Sequence, residues 1–258
     1  MTREATRTDE SGRSTAAVER FYGRWAGLYD LIARRFPRVR HVREVVADAC
    51  RLTPGDTVVE MGCGTGANVP RLRERVAPDG RIVGVDVTAP ALRRARRREY
   101  RPGSGAVGTD SSDREPPVNG DDATGSDGVT VEFVRADASD PPVVGPVDAV
   151  VGTFVSGMFA GPAAVVDGWC DLAESGHVVL ADGVPSRRPV ARPLNALFRG
   201  ATVLSTPPTT KLRYERDLLA GLEERVETAH GRLRERATAT VDREFLLGFV
   251  RLTGGRLW

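Results

Sequence analysis

The sequence has little of what builds a metal centre or a disulfide framework. Of 258 residues, three are cysteine and three are histidine. Cys50, Cys63 and Cys170 form no CxxC pair, and His41, His177 and His230 are scattered, so neither zinc-type ligand spacing nor a disulfide scaffold is present. Three reduced thiols in a cytosolic protein are the simple reading. No apolar run approaches the roughly 20 residues that cross a bilayer, and residues 1–20 are polar, with no apolar signal-peptide core. The expected setting is cytoplasmic. Lysine is almost missing: Lys211 is the only one. A net charge of +2 excludes a chain that is a polyanion binder throughout, although basic residues gather at 34–43 and 93–101.

What is present is an alternation. Residues 1–15 are small, polar and charged, and are expected to be disordered. Apolar residues at spacings of three and four predict a helix over 16–33, through Phe21, Trp25, Leu28, Tyr29 and Ile32. A second helix is expected over 39–50. After the turn Pro54-Gly55-Asp56, short apolar strands at 57–61, 81–87, 129–134, 147–151 and 177–181 alternate with helical stretches at 68–76, 90–100 and 163–174. Such a pattern implies a parallel sheet with helices on both faces. Residues 103–128 interrupt it: rich in Gly, Asp and Ser, they cannot bury enough surface to offset their ordering entropy, and read as a flexible acidic insertion. The C-terminal third holds a proline-rich stretch to residue 208, a helix over 214–228, and two strands, 234–241 and 245–252, joined near Asp242-Arg243. Residues 16–258 thus read as one domain, with 185–228 as a substrate lid.

The stretch Val58-Val59-Glu60-Met61-Gly62-Cys63-Gly64-Thr65-Gly66-Ala67 lies where a strand ends and a helix begins. Glycines there allow a sharp turn and a close backbone approach to a ligand, in front of the donor-rich N-terminus of a helix. Asp86, at the tip of the next strand, can accept hydrogen bonds from two ribose hydroxyls. Asp137-Ala138 follows the third strand, where a carboxylate and an N–H can meet an adenine edge. Gly62, Gly64 and Ala67 also satisfy the dinucleotide fingerprint, so a nicotinamide-dependent oxidoreductase is the rival. Glu60 two residues before the first glycine, the third acidic strand tip at Asp137, and the lack of an obvious second catalytic domain favour S-adenosyl-L-methionine (SAM).

Residues 52–66 closely resemble the first motif of class I SAM-dependent methyltransferases, most of all the branch that methylates quinone precursors and lipid-like molecules. Residues 21–30 resemble that branch's N-terminal aromatic helix. The resemblance covers about 18–182, apart from the insertion. It implies a Rossmann-like, seven-stranded, mostly parallel α/β sheet with helices on both faces and the last strand antiparallel. It places Glu60 near the methionine amino group, Asp86 on the ribose and Asp137 facing the adenine, with Thr153 lining the site. Gly62, Cys63, Gly64, Thr65, Gly66, Val87, Ala138 and Tyr29 complete the expected cofactor set. Ser139-Asp140-Pro141-Pro142 departs from that branch's usual Leu-Pro-Phe-like segment.

The expected reaction is methyl transfer from SAM to a small acceptor, apolar or lipid-linked, such as a quinone precursor or a phospholipid. Positioning supplies much of the acceleration in such a transfer, and a base is needed only where the acceptor loses a proton. No catalytic residue is assigned; His41 and Tyr29 are acid–base candidates for which packing is the simpler role. No metal is expected. Arginines in 34–43 and 187–199 suggest a peripheral contact with an anionic membrane surface, against the simpler reading of solvated side chains. A nucleic-acid methyltransferase or a non-catalytic SAM-binding module are further alternatives. The near-balanced charge and the lack of an Asn-Pro-Pro-Tyr-like motif argue against nucleic acid. Oligomeric state is not legible.

Overall fold

The computed structural model describes residues 37–98, 123–124, 127–205 and 218–258. The expected helix over 16–33, with Tyr29 and Trp25, lies outside them, as does most of the 103–128 insertion.

The chain alternates as its hydrophobic pattern requires. Helix α1 (Pro37–Ala49) leads to β1 (Thr57–Met61), α2 (Val69–Val76), β2 (Arg81–Asp86) and α3 (Ala89–Arg96). A two-residue strand β3 (Ala123–Thr124) precedes β4 (Thr130–Arg135), β5 (Ala149–Thr153), α4 (Pro162–Ala173) and β6 (His177–Gly183). Then come α5 (Asn195–Ser205), α6 (Leu218–Arg236), β7 (Ala239–Phe245) and β8 (Val250–Arg256).

The strands form one sheet in the order β3-β4-β2-β1-β5-β6-β8-β7. From β4 to β6 every neighbouring pair is parallel. Strand β8 runs antiparallel between β6 and β7. This is the seven-stranded, mostly parallel sheet with a reversed last strand, plus a short antiparallel edge strand, β3, that the sequence pattern does not suggest.

Both faces are covered. Alternate strand residues point to opposite sides: Val58, Ile82, Val151 and Val179 pack with α1 and α2, through Val42, Val46 and Leu72. Val59, Val83, Val150 and Leu180 pack with α4 and α6, through Val166, Trp169 and Leu233. The central strands are buried on both faces, which is why they read as continuous runs of Val, Ile and Ala rather than as alternating ones.

The C-terminal region corrects the sequence reading. The helix ends at Arg236 rather than at 228, because Val226, Ala229, His230 and Leu233 continue its buried stripe. The two strands start later than expected. Their turn is at Leu246–Gly248, where Leu246, Leu247 and Gly248 all have positive φ (51°, 60° and 87°). A left-handed turn carried by two leucines leaves no Gly-Asn signature to read. Helix α5 lies within the stretch read as proline-rich.

Candidate cofactor site

The site is at the C-terminal edge of the parallel strands, where β1 and β5 part company with their connections. The chain leaves β1 at Met61 and turns through Gly62, Gly64 and Gly66, with φ of 66°, 56° and 69°. Only glycine adopts this region without cost. Gly62 is further constrained by packing: a Cβ there would stand 2.7 Å from Val155 Cγ2. At Gly64 the same construction meets nothing within 4 Å, so the turn presents an open face.

Asp86 ends β2 beside this turn. Its Oδ2 accepts from the Gly64 N–H at 2.8 Å and its Oδ1 from the Thr88 N–H at 2.7 Å. A carboxylate has about four lone-pair sites, so Asp86 braces the glycine turn and keeps acceptor capacity for a ribose. Val87, next to it, is 43% exposed. On the far side, Asp137 Oδ1 accepts from the Ser139 N–H and Oγ at 2.8 and 2.7 Å, which fixes the loop after β4. The Ala138 carbonyl accepts from Trp169 Nε1 at 2.8 Å. Trp169 reaches it by crossing Gly152, where a Cβ would stand 2.7 Å from the ring.

Glu60, on β1, is 2% exposed. Its Oε1 accepts from Asn68 Nδ2 at 2.7 Å, while its buried Oε2 has no hydrogen-bond partner among the described residues. Asn68 Nδ2 also donates to Thr153 Oγ1 at 2.9 Å, and Asn68 Oδ1 accepts from Arg43 Nη1 at 2.6 Å. Burial pushes the Glu60 carboxyl up to about 7, against the pull of Arg43. An orphaned carboxylate oxygen beside an open glycine turn fits a ligand that brings an ammonium group, as the methionine part of SAM does.

Cys63 is 4% exposed, and its Sγ packs over Gly84, 2.9 Å from where a Cβ would be. Burial holds its thiol well above the usual range, which disfavours a nucleophilic role, and the Sγ lies 3.9 Å from the Gly64 carbonyl of the turn. Thr65 Oγ1 accepts from Arg98 Nη2 at 3.3 Å. His41 packs edge-on against Phe245, with centroids 5.9 Å apart, which favours packing over acid–base work. Tyr29 lies outside the described residues.

Leu194, Leu197 and Phe198 belong to the stretch expected to form a lid, whereas Phe154, Met158, Gly183 and the buried side chains beneath them escaped the sequence reading. Phe154 follows Thr153 with φ +58° and is 42% exposed. Gly183, at the end of β6, lies between the Phe154 and Phe198 rings, each 3.7 Å from its Cβ position. Phe198 also stacks, tilted, on Phe249 at 5.3 Å. Met158, Leu194 and Leu197 are exposed on the segments that follow these strands. Beneath, Ser156 Oγ donates to Asp182 Oδ2 at 2.7 Å, His230 Nε2 lies 3.2 Å from the same oxygen, and His230 Nδ1 is 2.8 Å from Thr253 Oγ1. These four side chains are at most 2% exposed. They pin the turn after β5, as does Arg225 Nε, which donates to the Gly157 carbonyl at 2.7 Å. Such tertiary partners carry no sequence signal. Arg187 and Arg188, two arginines considered for membrane contact, form ion pairs with Glu223 and Glu244. Among the described residues, no group of metal-ligating side chains gathers and no helix is long and apolar enough to cross a membrane.

Comparison with known proteins agrees with this geometry. Residues 52–108 match a family described as a methyltransferase domain. The chain is 32% identical over 97 residues to nocamycin O-methyltransferase of Saccharothrix syringae, covering 38% of this chain and 34% of that one. It is 35% identical over 81 residues to demethylmenaquinone methyltransferase of Symbiobacterium thermophilum, covering 28% and 32%. The matches therefore span about a third of these curated relatives. Among solved structures, it resembles a SAM-dependent methyltransferase from Aquifex aeolicus (TM-score 0.50, 15% identity, 84% of this chain and 89% of that one). It also resembles the N-methyltransferase NodS of Bradyrhizobium japonicum in complex with S-adenosyl-l-homocysteine (TM-score 0.52, 14% identity, 87% and 90%). Residues 52–108 thus match a methyltransferase domain, and the chain as a whole shares the fold of these two solved methyltransferases.

Proposed function

We propose that the protein transfers the methyl group of SAM to a small acceptor with a planar, apolar part. The observation that carries this reading is the meeting, at one sheet edge, of the open glycine turn, Asp86 and Glu60 with the apolar wall of Phe154 and Phe198. When bound, SAM supplies an electrophilic methyl on a sulfonium. The chain's own residues bind and orient. Asp86 and the backbone of Gly62–Gly66 hold the nucleoside side, Glu60 takes the amino group, and Asp137 and Ala138 flank the base. The wall after β5 and β6 seats the acceptor and excludes water, so that positioning accounts for much of the acceleration. Among the matched relatives, one is an O-methyltransferase and one acts on demethylmenaquinone by name, which supports a hydroxylated ring as the first acceptor class to try.

The reversed β8, inserted between β6 and β7, departs from the classic 3-2-1-4-5-6 strand order of mostly parallel dinucleotide-binding folds, which disfavours the nicotinamide alternative. Calorimetric titration with SAM, S-adenosylhomocysteine and NADH tests the reading. Micromolar binding of the first two, weakened at least tenfold by Asp86→Asn, is expected. Binding of NADH alone would overturn it.

A further inference from the structure

The assembly around Glu60 contains more than a cofactor contact needs. Asn68, 1% exposed, stands at the start of α2, where an asparagine ordinarily caps the helix. Its side chain makes no cap; it is spent on Glu60, Thr153 and Arg43. Those partners fix the amide's orientation. Its oxygen faces a guanidinium and its nitrogen a carboxylate, and the flipped amide would set oxygen against carboxylate and N–H against guanidinium. Arg43 belongs to α1, ahead of the alternating unit, so this contact ties that helix to the cofactor turn. The pair aims one carboxylate oxygen at Asn68 and leaves the other, fully buried, with no donor among the described residues.

The charges facing Glu60 come from every side. Arg43 on α1 and Arg98 after α3 favour its ionised form, as does the Asn68 hydrogen bond; Asp86 at the end of β2 opposes it. The neighbouring Cys63 thiol is held neutral. Desolvation outweighs the favourable partners, so the carboxyl is poised at about 7 in the free protein.

We propose that Arg43, acting through Asn68, is a positioning residue that turns Glu60 toward the cofactor's amino group, and that cofactor binding and loss of the Glu60 proton are one event. The inference rests on the methyltransferase reading. The step balances simply: the cofactor arrives as an ammonium, the Glu60 carboxyl becomes a carboxylate, and its proton goes to solvent.

The test is calorimetry of S-adenosylhomocysteine binding to the full chain, in paired buffers of different ionisation enthalpy, between pH 6 and 8. Affinity should tighten about tenfold across that range, with about half a proton released near pH 7. Glu60→Gln should abolish both the release and the pH dependence. Arg43→Met should move the release to higher pH, and Arg43→Lys should restore it in part. 5′-Methylthioadenosine, which lacks the amino group, should bind without releasing a proton and be indifferent to Arg43→Met; a merely structural role for Arg43 would weaken both ligands alike. Binding of S-adenosylhomocysteine with no proton release, or a release that survives in Glu60→Gln, overturns the inference alone. No binding at any pH overturns the methyltransferase reading and this inference with it.

Discussion

Two glycines of one turn illustrate how position sets the role of a residue. Gly62 and Gly64 share a left-handed backbone, but a methyl on the first meets Val155 and a methyl on the second meets open space. Gly62→Ala should therefore cost about 2–4 kcal/mol of stability, from strain plus overpacking, measured by urea denaturation. Gly64→Ala should cost only about 1–2 kcal/mol, from strain, yet remove most SAM affinity, because its methyl occupies the face left for the ligand. Glu60 gives a pH prediction. Its carboxyl lies near 7 when folded against 4.5 for the ordinary group. From pH 4.5 to 7 the folded chain keeps a proton that the unfolded chain has lost. Stability from this group is thus fully present below that window and lost as pH rises through it, on the order of 3 kcal/mol. Glu60→Gln should flatten the decline and make the free protein more stable at pH 8. At this scale the glycines, Glu60, Asp86 and Asp137 were named from their places near strand ends together with the resemblance to a methyltransferase motif, and the structure brings Glu60 and Asp86 to one turn. Asp182 and His230 could not be named, because their roles depend on partners 23 to 48 residues away, nor could Asn68, which joins Glu60, eight residues off, to Arg43 and Thr153, 25 and 85 residues off.

At the scale of elements, α4 and α6 act as clamps on the site's two outer loops. Trp169 of α4 holds the loop after β4 through the Ala138 carbonyl and meets Phe159 edge-on at 5.7 Å. Trp169→Phe should keep much of the packing but leave that carbonyl without its donor, at about 1–3 kcal/mol, with a selective loss of adenosine affinity by calorimetry. His230 of α6 holds the loop after β5 through Asp182. His230→Ala removes a buried hydrogen-bond partner of both Asp182 and Thr253 and should cost about 1–3 kcal/mol, read as a fall in melting temperature. The elements themselves were largely legible: β1 was placed residue for residue, and the other parallel strands within about two residues, because runs of Val and Ile between turns carry that signal. The later elements slipped. In α6 the buried stripe passes through His230 and the arginine-rich tail, and β7 is exposed along almost its whole length, so neither shows the contrast on which periodicity depends.

At the scale of the whole molecule, the reversed β8 between β6 and β7 is the feature that sets this sheet apart from the classic dinucleotide-binding order. The glycine spacing and Asp86 fit a dinucleotide site as well as a methyltransferase; the β6-β8-β7 edge does not. That edge ends in β7, whose exposed Asp242, Arg243 and Glu244 discourage strand addition by a second chain. Among the described residues, much of the arginine charge of the C-terminal third is neutralised within the chain. Arg187, Arg188, Arg232, Arg234 and Arg236 all engage carboxylates of the same chain. Co-sedimentation with anionic vesicles should accordingly be weak and lost at about 0.15 M salt.

The base of the acidic segment has a practical corollary. Just before it, Arg98 reaches Thr65; at its return, Ala123–Thr124 pair with β4, and Arg73 Nε grips Asp127 Oδ2 at 2.7 Å. The Arg73 guanidinium holds the Asp127 carboxyl below the usual carboxylate range, so this latch stays closed at neutral pH. The chain is thus fastened at Arg98 and at Asp127, and doubling the length of chain between two such points adds only about 0.6 kcal/mol of closure cost. A domain inserted between Arg98 and Asp127 is therefore expected to leave the melting temperature nearly unchanged, whereas Arg73→Ala, which releases Asp127, should lower it.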